Sequence, residues 1–226
     1  MKFFYTWLFC ILFLFNYHVL YSQYNSIWLE GIEGVSNQLV TDIAFDPSNG
    51  KVYVVGQFEG DISLSFPSGP NTSDFTNPPA GLNGFLAQYD TTGSLGWALW
   101  IGGAGDDRIT SIDIGELGNV YIVGSFNSIA IFSDIGGGVN STTTSFGAQD
   151  AFQAKYSSSG ILQWLHEDGG SGDDYCVSVA VDTNFGQVYF VGHFEQNPEI
   201  GGFNIGNILN TMYFLVKIEN FQFGIK

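Results

Sequence analysis

The chain matches itself three times at a spacing of about 68 residues. Trp28, Trp97 and Trp164 recur at nearly equal intervals. One apolar segment, with the pattern V-Y-x-V-G-x-F, occurs three times in the same order, at 52–58, 120–126 and 188–194. A period of this size is typical of repeat architectures, in which each unit buries its apolar face against the next unit. The repeat therefore constrains the fold much more tightly than it constrains the activity.

Each unit carries short segments rich in β-forming residues, with Gly, Asn and Asp turns between them. In the second copy, strand-like segments lie at 97–101, 109–114, 120–126, 128–132 and 150–156. No helical periodicity follows the N-terminal segment. Four antiparallel strands repeated along the chain are typical of propeller blades. We therefore predict an all-β fold with about three four-stranded antiparallel blades of the propeller type, forming an incomplete ring.

Three segments lengthen each unit beyond the usual size of a propeller blade. For these segments we expect decorated loops, or an extra edge strand followed by a loop, at 61–83, 128–149 and 196–211. A β-solenoid is the alternative architecture. It usually has a much shorter period and does not require paired strand-turn-strand segments.

The first 22 residues have the features of a secretory signal peptide. Lys2 precedes a largely apolar stretch of 13 residues at 3–15, and the small residue Ser22 follows. Asn16 and His18 interrupt the apolar run before it reaches the roughly 20 residues of a membrane span. We expect cleavage after Ser22 or Gln23, no stable membrane span afterwards, and an exported protein, secreted or at the cell surface. The repeats then occupy 23–226, in units of about 28–96, 97–163 and 164–226.

The part of the chain after the signal is strongly acidic. The whole chain has 6 Lys and Arg against 22 Asp and Glu, and the signal removes only Lys2. Such a surface repels nucleic acid and anionic lipid. It is compatible with cations, sugars or basic partners, although a high negative charge also serves solubility alone. Cys176 is the one cysteine after the signal, and its position in CVSVAV indicates a buried strand residue rather than a reactive thiol.

The order of the motifs resembles a known family. GGxGDD, V-Y-x-V-G-x-F, AFxAKY and G-x-L-x-W follow one another across about 28–218 and look like the SBBP-type β-propeller repeat, named for seven-bladed propellers. That family is common in secreted and surface proteins of bacteria, including Bacteroidota. The resemblance implies a propeller fold and an exported location. It implies no catalytic residues, because the family is defined by its repeats.

The number of copies departs from a complete propeller, because a ring needs at least about four blades. The segment around Trp28 matches the last strand of a blade, and the third copy reaches 214–218 without a following tryptophan strand. We expect either a fragment of a longer protein or an open arc that needs further blades from a longer chain or from an oligomer.

The motif GGxGDD is the strongest local candidate for a site. It resembles the calcium-binding nonapeptide of β-rolls, and paired carboxylates are suitable ligands for Ca²⁺. The first unit has Asn37 and Gln38 at the same place, so charge is not required in every repeat. The alternatives are an Asx-type turn between blades and single Ca²⁺ sites, whose candidate ligands are Asp106, Asp107, Asp173 and Asp174.

Other polar residues have simpler interpretations. Asp46 and Asp182 open hairpin turns, where turn chemistry accounts for them. His166 and His193 lack the converging ligands of a zinc site and are interpreted as solvated or blade-edge residues. The recurrent Trp, Tyr and Phe are predicted to form the core between blades.

These features favour a non-catalytic surface module for interaction or adhesion, whose partner is a protein or a glycan. We assign no catalytic residues to it, and the candidate Ca²⁺ is the one cofactor that we consider. Two alternatives stay open: part of a secreted polysaccharide-degrading enzyme, and a Ca²⁺-stabilised binding module. The enzyme would require catalytic groups gathered from several blades. The loops that differ between copies are the expected binding surface.

Overall fold

The computed structural model describes residues 31–64, 74–76, 78–135, 139–206 and 212–218. The predicted signal peptide and Trp28 lie outside these ranges. The described residues form an all-β structure, whose one helical element is the 3-10 turn Glu116–Gly118. No helix in these ranges has the length and apolar character that crossing a membrane requires.

Blade 1 is a four-stranded antiparallel unit. The chain enters it through a two-residue strand and leaves it through its outermost strand; the successive strands are β1 (Glu33–Gly34), β2 (Gln38–Asp46), β3 (Lys51–Phe58), β4 (Ile62–Ser63), β5 (Asp74–Phe75), β6 (Asn83–Asp90) and β7 (Leu95–Gly103). Strands β2, β3, β6 and β7 pair in that order and make the blade, while β1, β4 and β5 form a small separate sheet.

Blades 2 and 3 repeat this order. Blade 2 consists of β8 (Arg108–Ile114), β9 (Val120–Ser133), β10 (Val139–Tyr156) and β11 (Leu162–Asp168). Blade 3 has three described strands, β12 (Tyr175–Asp182), β13 (Gln187–Phe194) and β16 (Met212–Ile218), and carries the small hairpin of β14 (Glu199–Ile200) and β15 (Phe203–Asn204). A repeat counted from Trp97 therefore joins the last strand of one blade to the first three strands of the next.

The three long inserts are hairpins that reach back to the chain segment directly before the first blade strand of their own blade. In blade 1, β4 pairs with β1. In blade 2, the outer end of β9 pairs with the end of β7 and joins the two blades into one eight-stranded sheet. In blade 3, Glu199 exchanges two backbone hydrogen bonds with Gly169, just after β11. The prediction of an edge strand in these segments is confirmed, and in blades 2 and 3 its partner is the end of the previous blade.

A β-bulge in each inner strand faces the glycine of V-Y-x-V-G-x-F. The register shifts at Thr41 in β2, at Thr110 in β8 and at Val177 in β12. A bulge bends its strand and turns one side chain away from the regular alternation. Thr41 Oγ1 donates to the carbonyl of Ile109 in the next blade, at 2.7 Å. Thr110 repeats the contact with the carbonyl of Cys176, at 2.8 Å.

Apolar side chains fill both junctions between blades. Here the forward face of a blade is the face toward the blade that follows in sequence, and the back face is the opposite one. The forward face of blade 1 packs on the back face of blade 2, and the forward face of blade 2 packs on the back face of blade 3. Ile122, Phe152 and Phe190 are among the residues with 1% exposure or less at these junctions. Most of the core therefore lies between blades, as in a stack of sheets. A third apolar cluster, which includes Phe58, Leu64 and Phe85, is buried on the back face of blade 1.

Candidate functional site

The two GGxGDD turns lie between consecutive blades and hold one buried acid each. Asp107 is 0% exposed. Its carboxylate accepts the N–H of Gly103 at 2.7 Å and the N–H of Asn127 at 3.3 Å. Its own N–H donates to the carbonyl of Leu82 at 2.8 Å. One acid therefore connects the turn, the middle of β9 and the loop before β6.

Asp174 makes the same three connections in the next repeat. Its carboxylate accepts the N–H of Gly170 at 2.7 Å and the N–H of Glu195 at 2.6 Å. Its own N–H donates to the carbonyl of Gln149 at 2.8 Å. Carboxylates that accept backbone N–H groups fix the geometry of a turn strongly. The turns therefore act as clamps between blades. Their hydrogen bonds join residues much farther apart in sequence than those of the predicted Asx turn.

The neighbouring acids point away from the clamps. Asp106 is exposed, accepts the N–H of Leu82 at 3.2 Å and lies 3.5 Å from Arg108. Asp173 is exposed as well. Within the described residues, no group of three or more His, Cys, Asp and Glu side chains converges as metal ligands would. Ca²⁺ binding at Asp106, Asp107, Asp173 and Asp174 stays a prediction.

The glycines of the motif allow a second buried polar residue to approach. A Cβ on Gly169 would lie 1.9 Å from Oδ1 of Asp150, and one on Gly102 would lie 2.0 Å from Oδ1 of Asn83. Asp150 and Asn83 are each 0% exposed and lie in the third strands of their blades, Asn83 as the first residue of β6 and Asp150 within β10. Sequence reasoning missed both residues. Their signal was a polar side chain at the same repeat position, directly before the apolar part of the strand.

Burial gives these acids an unusual titration. It raises the pKa of Asp107 to about 7. It raises the pKa of Asp150 and of Asp174 to about 6, and for Asp150 the charge of Asp174 adds to the effect. In each case the backbone N–H donors oppose the shift and keep it smaller.

We expect the fold to become more stable as the pH falls from 8 to 5. Carboxyls titrate near 4 in an unfolded chain, so between about pH 4 and 7 the folded state binds more protons than the unfolded state. Stability must then fall as the pH rises through this window. Urea unfolding at pH 5, 6, 7 and 8 measures the slope, and Asp107→Asn should make it shallower. Glu116→Gln, which removes one exposed carboxylate from the turn before β9, is the control; equal slopes for both variants would contradict the prediction.

The cysteine and the two histidines belong to blade junctions and edges. Cys176 is buried, as predicted, and burial raises the pKa of its thiol. Gln153 Nε2 lies 3.4 Å from the sulfur and donates to Asp168 at 3.1 Å. His166 Nε2 lies 3.1 Å from the same carboxylate, which raises the pKa of His166. His193 is buried rather than solvated, and its ring stacks on Tyr175 at 4.5 Å.

A cavity of about 340 Å³ opens at the junction of blades 2 and 3. Tyr121 and Trp164 form an aromatic wall with their ring centroids 6.1 Å apart. Lys155 Nζ lies 5.3 Å from the centre of the Tyr121 ring. Glu116, Val181 and Ile218 complete the principal lining. An aromatic wall beside one cation is suited to a ligand that is flat or apolar at one end and negatively charged at the other.

The same position between blades 1 and 2 is filled by the chain itself. Tyr53 and Trp97 repeat the aromatic pair there, 6.0 Å apart, and Gln88 stands where blade 2 has Lys155. The carbonyl of Ser158, in the turn between β10 and β11, accepts Gln88 Nε2 at 2.9 Å and Trp97 Nε1 at 3.2 Å. The filled site therefore binds a peptide carbonyl of the following blade.

The predicted aromatic core is confirmed between blades 1 and 2, where the Ser158 turn fills the position beside the aromatic pair. Between blades 2 and 3, where the cavity opens, the equivalent pair is only partly buried. Tyr53 and Trp97 are 0% and 8% exposed. Tyr121 and Trp164 are half-buried around the cavity. The copies thus differ at one aromatic position in a way that a repeat count does not reveal.

No protein-family model matches the chain. An uncharacterized WD repeat-containing protein of Acanthamoeba polyphaga mimivirus is 28% identical to it over 107 residues. The match spans 47% of this chain and 8% of the viral protein. WD repeats form the blades of propellers, so the likeness agrees with the three blades and supports a propeller-like repeat fold.

Proposed function

We propose that this chain is an exported, non-catalytic propeller-type module that binds another protein at a cell surface, as an interaction or adhesion scaffold. The WD repeat-containing relative supports a repeat-based interaction role. The architecture supports it too, because the recurrent residues are used inside the junctions and leave the differing ones for contact. We assign the repeats to the SBBP type on their motif order, and export on the apolar run after Lys2.

The observation that carries the proposal is the cavity between blades 2 and 3. Its counterpart between blades 1 and 2 holds a peptide carbonyl of Ser158. A position that binds peptide in one junction, and that the described residues leave open in the next, is suited to binding peptide from a partner. We therefore place the partner's contact against Tyr121 and Lys155.

Blade 2 has Lys155 at the position where blade 1 has Gln88, and this difference determines which kind of partner the cavity favours. In the filled site the acceptor is the neutral carbonyl of Ser158, and the side-chain amide of Gln88 donates to it. An ammonium group favours a carboxylate, because charge-assisted hydrogen bonds are about twice as strong as neutral ones. The proposed ligand is thus a peptide segment with an Asp, a Glu or a C-terminal carboxylate beside an apolar or aromatic residue.

The proposal is tested by selecting linear peptides from a phage-displayed library on the chain from Gln23 onward. We expect the recovered peptides to be rich in acidic residues. Lys155→Gln should weaken their binding about tenfold, the equivalent of one charge-assisted hydrogen bond, whereas Lys155→Arg should retain most of it. Lys51→Gln in blade 1 removes a charge elsewhere and should leave the dissociation constant unchanged.

Two results would count against the assignment. Peptides whose affinity is the same for the wild type and for Lys155→Gln would place the contact elsewhere. Binding on a glycan array, with no peptide recovered, would replace the protein partner with a saccharide.

A further inference from the structure

The turn between β8 and β9 holds an exposed leucine at the rim of the cavity between blades 2 and 3. Leu117 lines this cavity, and 89% of its surface is exposed. Single exposed apolar residues are ordinary on protein surfaces and need no special explanation. Leu117 is unusual because its backbone conformation is also strained.

The backbone of this turn is unfavourable for leucine. Leu117 has a φ of 59° and a ψ of 20°, and Gly118 has a φ of 70°. The N–H of Asn119 donates to the carbonyl of Glu116 at 3.2 Å, so these four residues form a hairpin turn with two positive φ values. Asn, Asp and Gly favour such a turn, whereas a bulky side chain is strained in it. Leu117 therefore costs the fold stability while it contributes little packing.

The equivalent turn of blade 1 has a polar residue at this position. Each turn is followed by the sequence Gly-x-Val, which aligns Asn49 with Leu117 in the repeat. Asn49 Oδ1 accepts the N–H of Lys51 at 2.9 Å, so this side chain stabilises its own turn. It also lies next to the hydroxyl of Tyr53, in the filled position between blades 1 and 2. The open position therefore differs from the filled one at the turn as well as at Lys155.

A second apolar side chain stands on the other side of the opening. Phe185, in the turn between β12 and β13, is 74% exposed. It aligns with Leu117 in the repeat and precedes Gly186, which lines the cavity. The two turns that border the open position thus both carry exposed apolar residues.

We propose that Leu117 is a contact residue for the partner peptide and selects an apolar side chain close to the carboxylate that Lys155 binds. This role rests on the proposed function, because Leu117 and Lys155 line the same cavity. Strained backbone conformations cluster at binding sites, where the strained residue serves the ligand rather than the fold. An exposed leucine in a turn that favours Asn is such a case.

The size of the cavity limits the spacing of the two peptide residues. A volume of about 340 Å³ corresponds to a sphere roughly 9 Å across, and an extended peptide advances about 3.3 Å per residue. The apolar residue should therefore lie within about two positions of the acid. Peptides selected on the wild-type chain should share this spacing.

Replacing Leu117 with the residue of the blade 1 turn separates this role from a structural one. Leu117→Asn relieves the strain, so we expect the urea midpoint to rise by about 0.5 M. The same variant should bind the acidic peptides recovered from the phage-displayed library about tenfold more weakly, because a leucine that is buried on binding has been lost. A gain in stability together with a loss of affinity is not expected of a residue that serves the fold alone.

Two variants and a second selection serve as controls. Leu117→Met keeps a flexible apolar side chain and should retain most of the affinity. Leu215→Asn removes a leucine that is 75% exposed and that lies on the other face of β16 from the cavity residue Ile218, so the dissociation constant should not change. A selection repeated on Leu117→Asn should recover peptides that keep their acidic residues and lose the apolar preference.

The outcomes distinguish this role from the proposed function. If Lys155→Gln weakens binding and Leu117→Asn does not, the role of Leu117 is overturned and the peptide site stands. If Leu117→Asn alone weakens binding, the role is supported and the carboxylate assignment falls. A Leu117→Asn variant that is less stable than the wild type, or an apolar preference that it leaves unchanged, would also overturn the role. Failure to recover any peptide would overturn both proposals.

Discussion

Phe152→Ala should lower the free energy of unfolding by about 4 kcal/mol, in line with large-to-small substitutions of buried phenylalanine. Phe152 is 0% exposed on the back face of blade 2. Its ring meets the ring of Phe132 edge to face, with centroids 4.9 Å apart. The substitution opens a cavity in the junction of blades 1 and 2, where close packing on both sides leaves little room for collapse.

Urea unfolding followed by tryptophan fluorescence measures this loss. Phe185→Ala is the matched control, because Phe185 lies in the turn between β12 and β13 and is 74% exposed; we expect a change below about 0.5 kcal/mol there. A loss under about 1 kcal/mol for Phe152→Ala would mean that the junction of blades 1 and 2 is not a packed core.

Local patterns were sufficient to predict the strands and their repetition. The segments with V-Y-x-V-G-x-F became β3, β9 and β13, each the second strand of its blade. Asp46 accepts the N–H of Ser48 at 2.8 Å, and Asp182 accepts the N–H of Asn184 at 2.9 Å, so both turn predictions are confirmed. These features depend on residues within a few positions of one another, which is the range that a sequence pattern expresses.

The features that the sequence did not reveal depend on contacts between blades. The insert hairpins pair with the strand before their own blade, so no local alternation marks their register. The clamp at GGxGDD also depends on a distant contact, because the carboxylate of Asp107 accepts the N–H of Asn127, twenty residues later. The filling of the position beside Tyr53 and Trp97 likewise depends on the turn after β10 in the next blade, whose Ser158 carbonyl reaches across the junction.

Steric crowding explains why V-Y-x-V-G-x-F carries a glycine, and the same crowding recurs from blade to blade. A Cβ on Gly124 would lie 1.9 Å from the carbonyl oxygen of Arg108 and 2.8 Å from the ring of Phe152. A Cβ on Gly56 would meet the carbonyl of Leu39 at 2.2 Å. The β-bulge brings the inner strand this close to the second strand, and the aromatic ring closes the space from the other side.

We therefore expect Gly124→Ala to destabilise the fold by about 3 kcal/mol, at the upper end of the usual cost of overpacking. The nearest atom belongs to the backbone of a paired strand, so relief requires the bulge at Thr110 to move. That movement would also disturb the bond from Thr110 to the carbonyl of Cys176 in blade 3. The loss should therefore extend to the junction of blades 2 and 3, beyond blade 2 itself.

Gly96→Ala provides the control, because the atom nearest to its added Cβ is Oε1 of Gln88, the end of a flexible side chain, at 2.6 Å. We expect a smaller cost there, about 1 to 2 kcal/mol, since moving the Gln88 side chain relieves the contact but weakens its hydrogen bonds to Tyr53 and to the carbonyl of Ser158. Urea midpoints give both free energies, and amide hydrogen exchange at Val179 reports the opening of blade 3. Equal costs for the two variants would show that the bulge yields easily, and the glycine would then be explained by backbone conformation rather than by the approach of the inner strand.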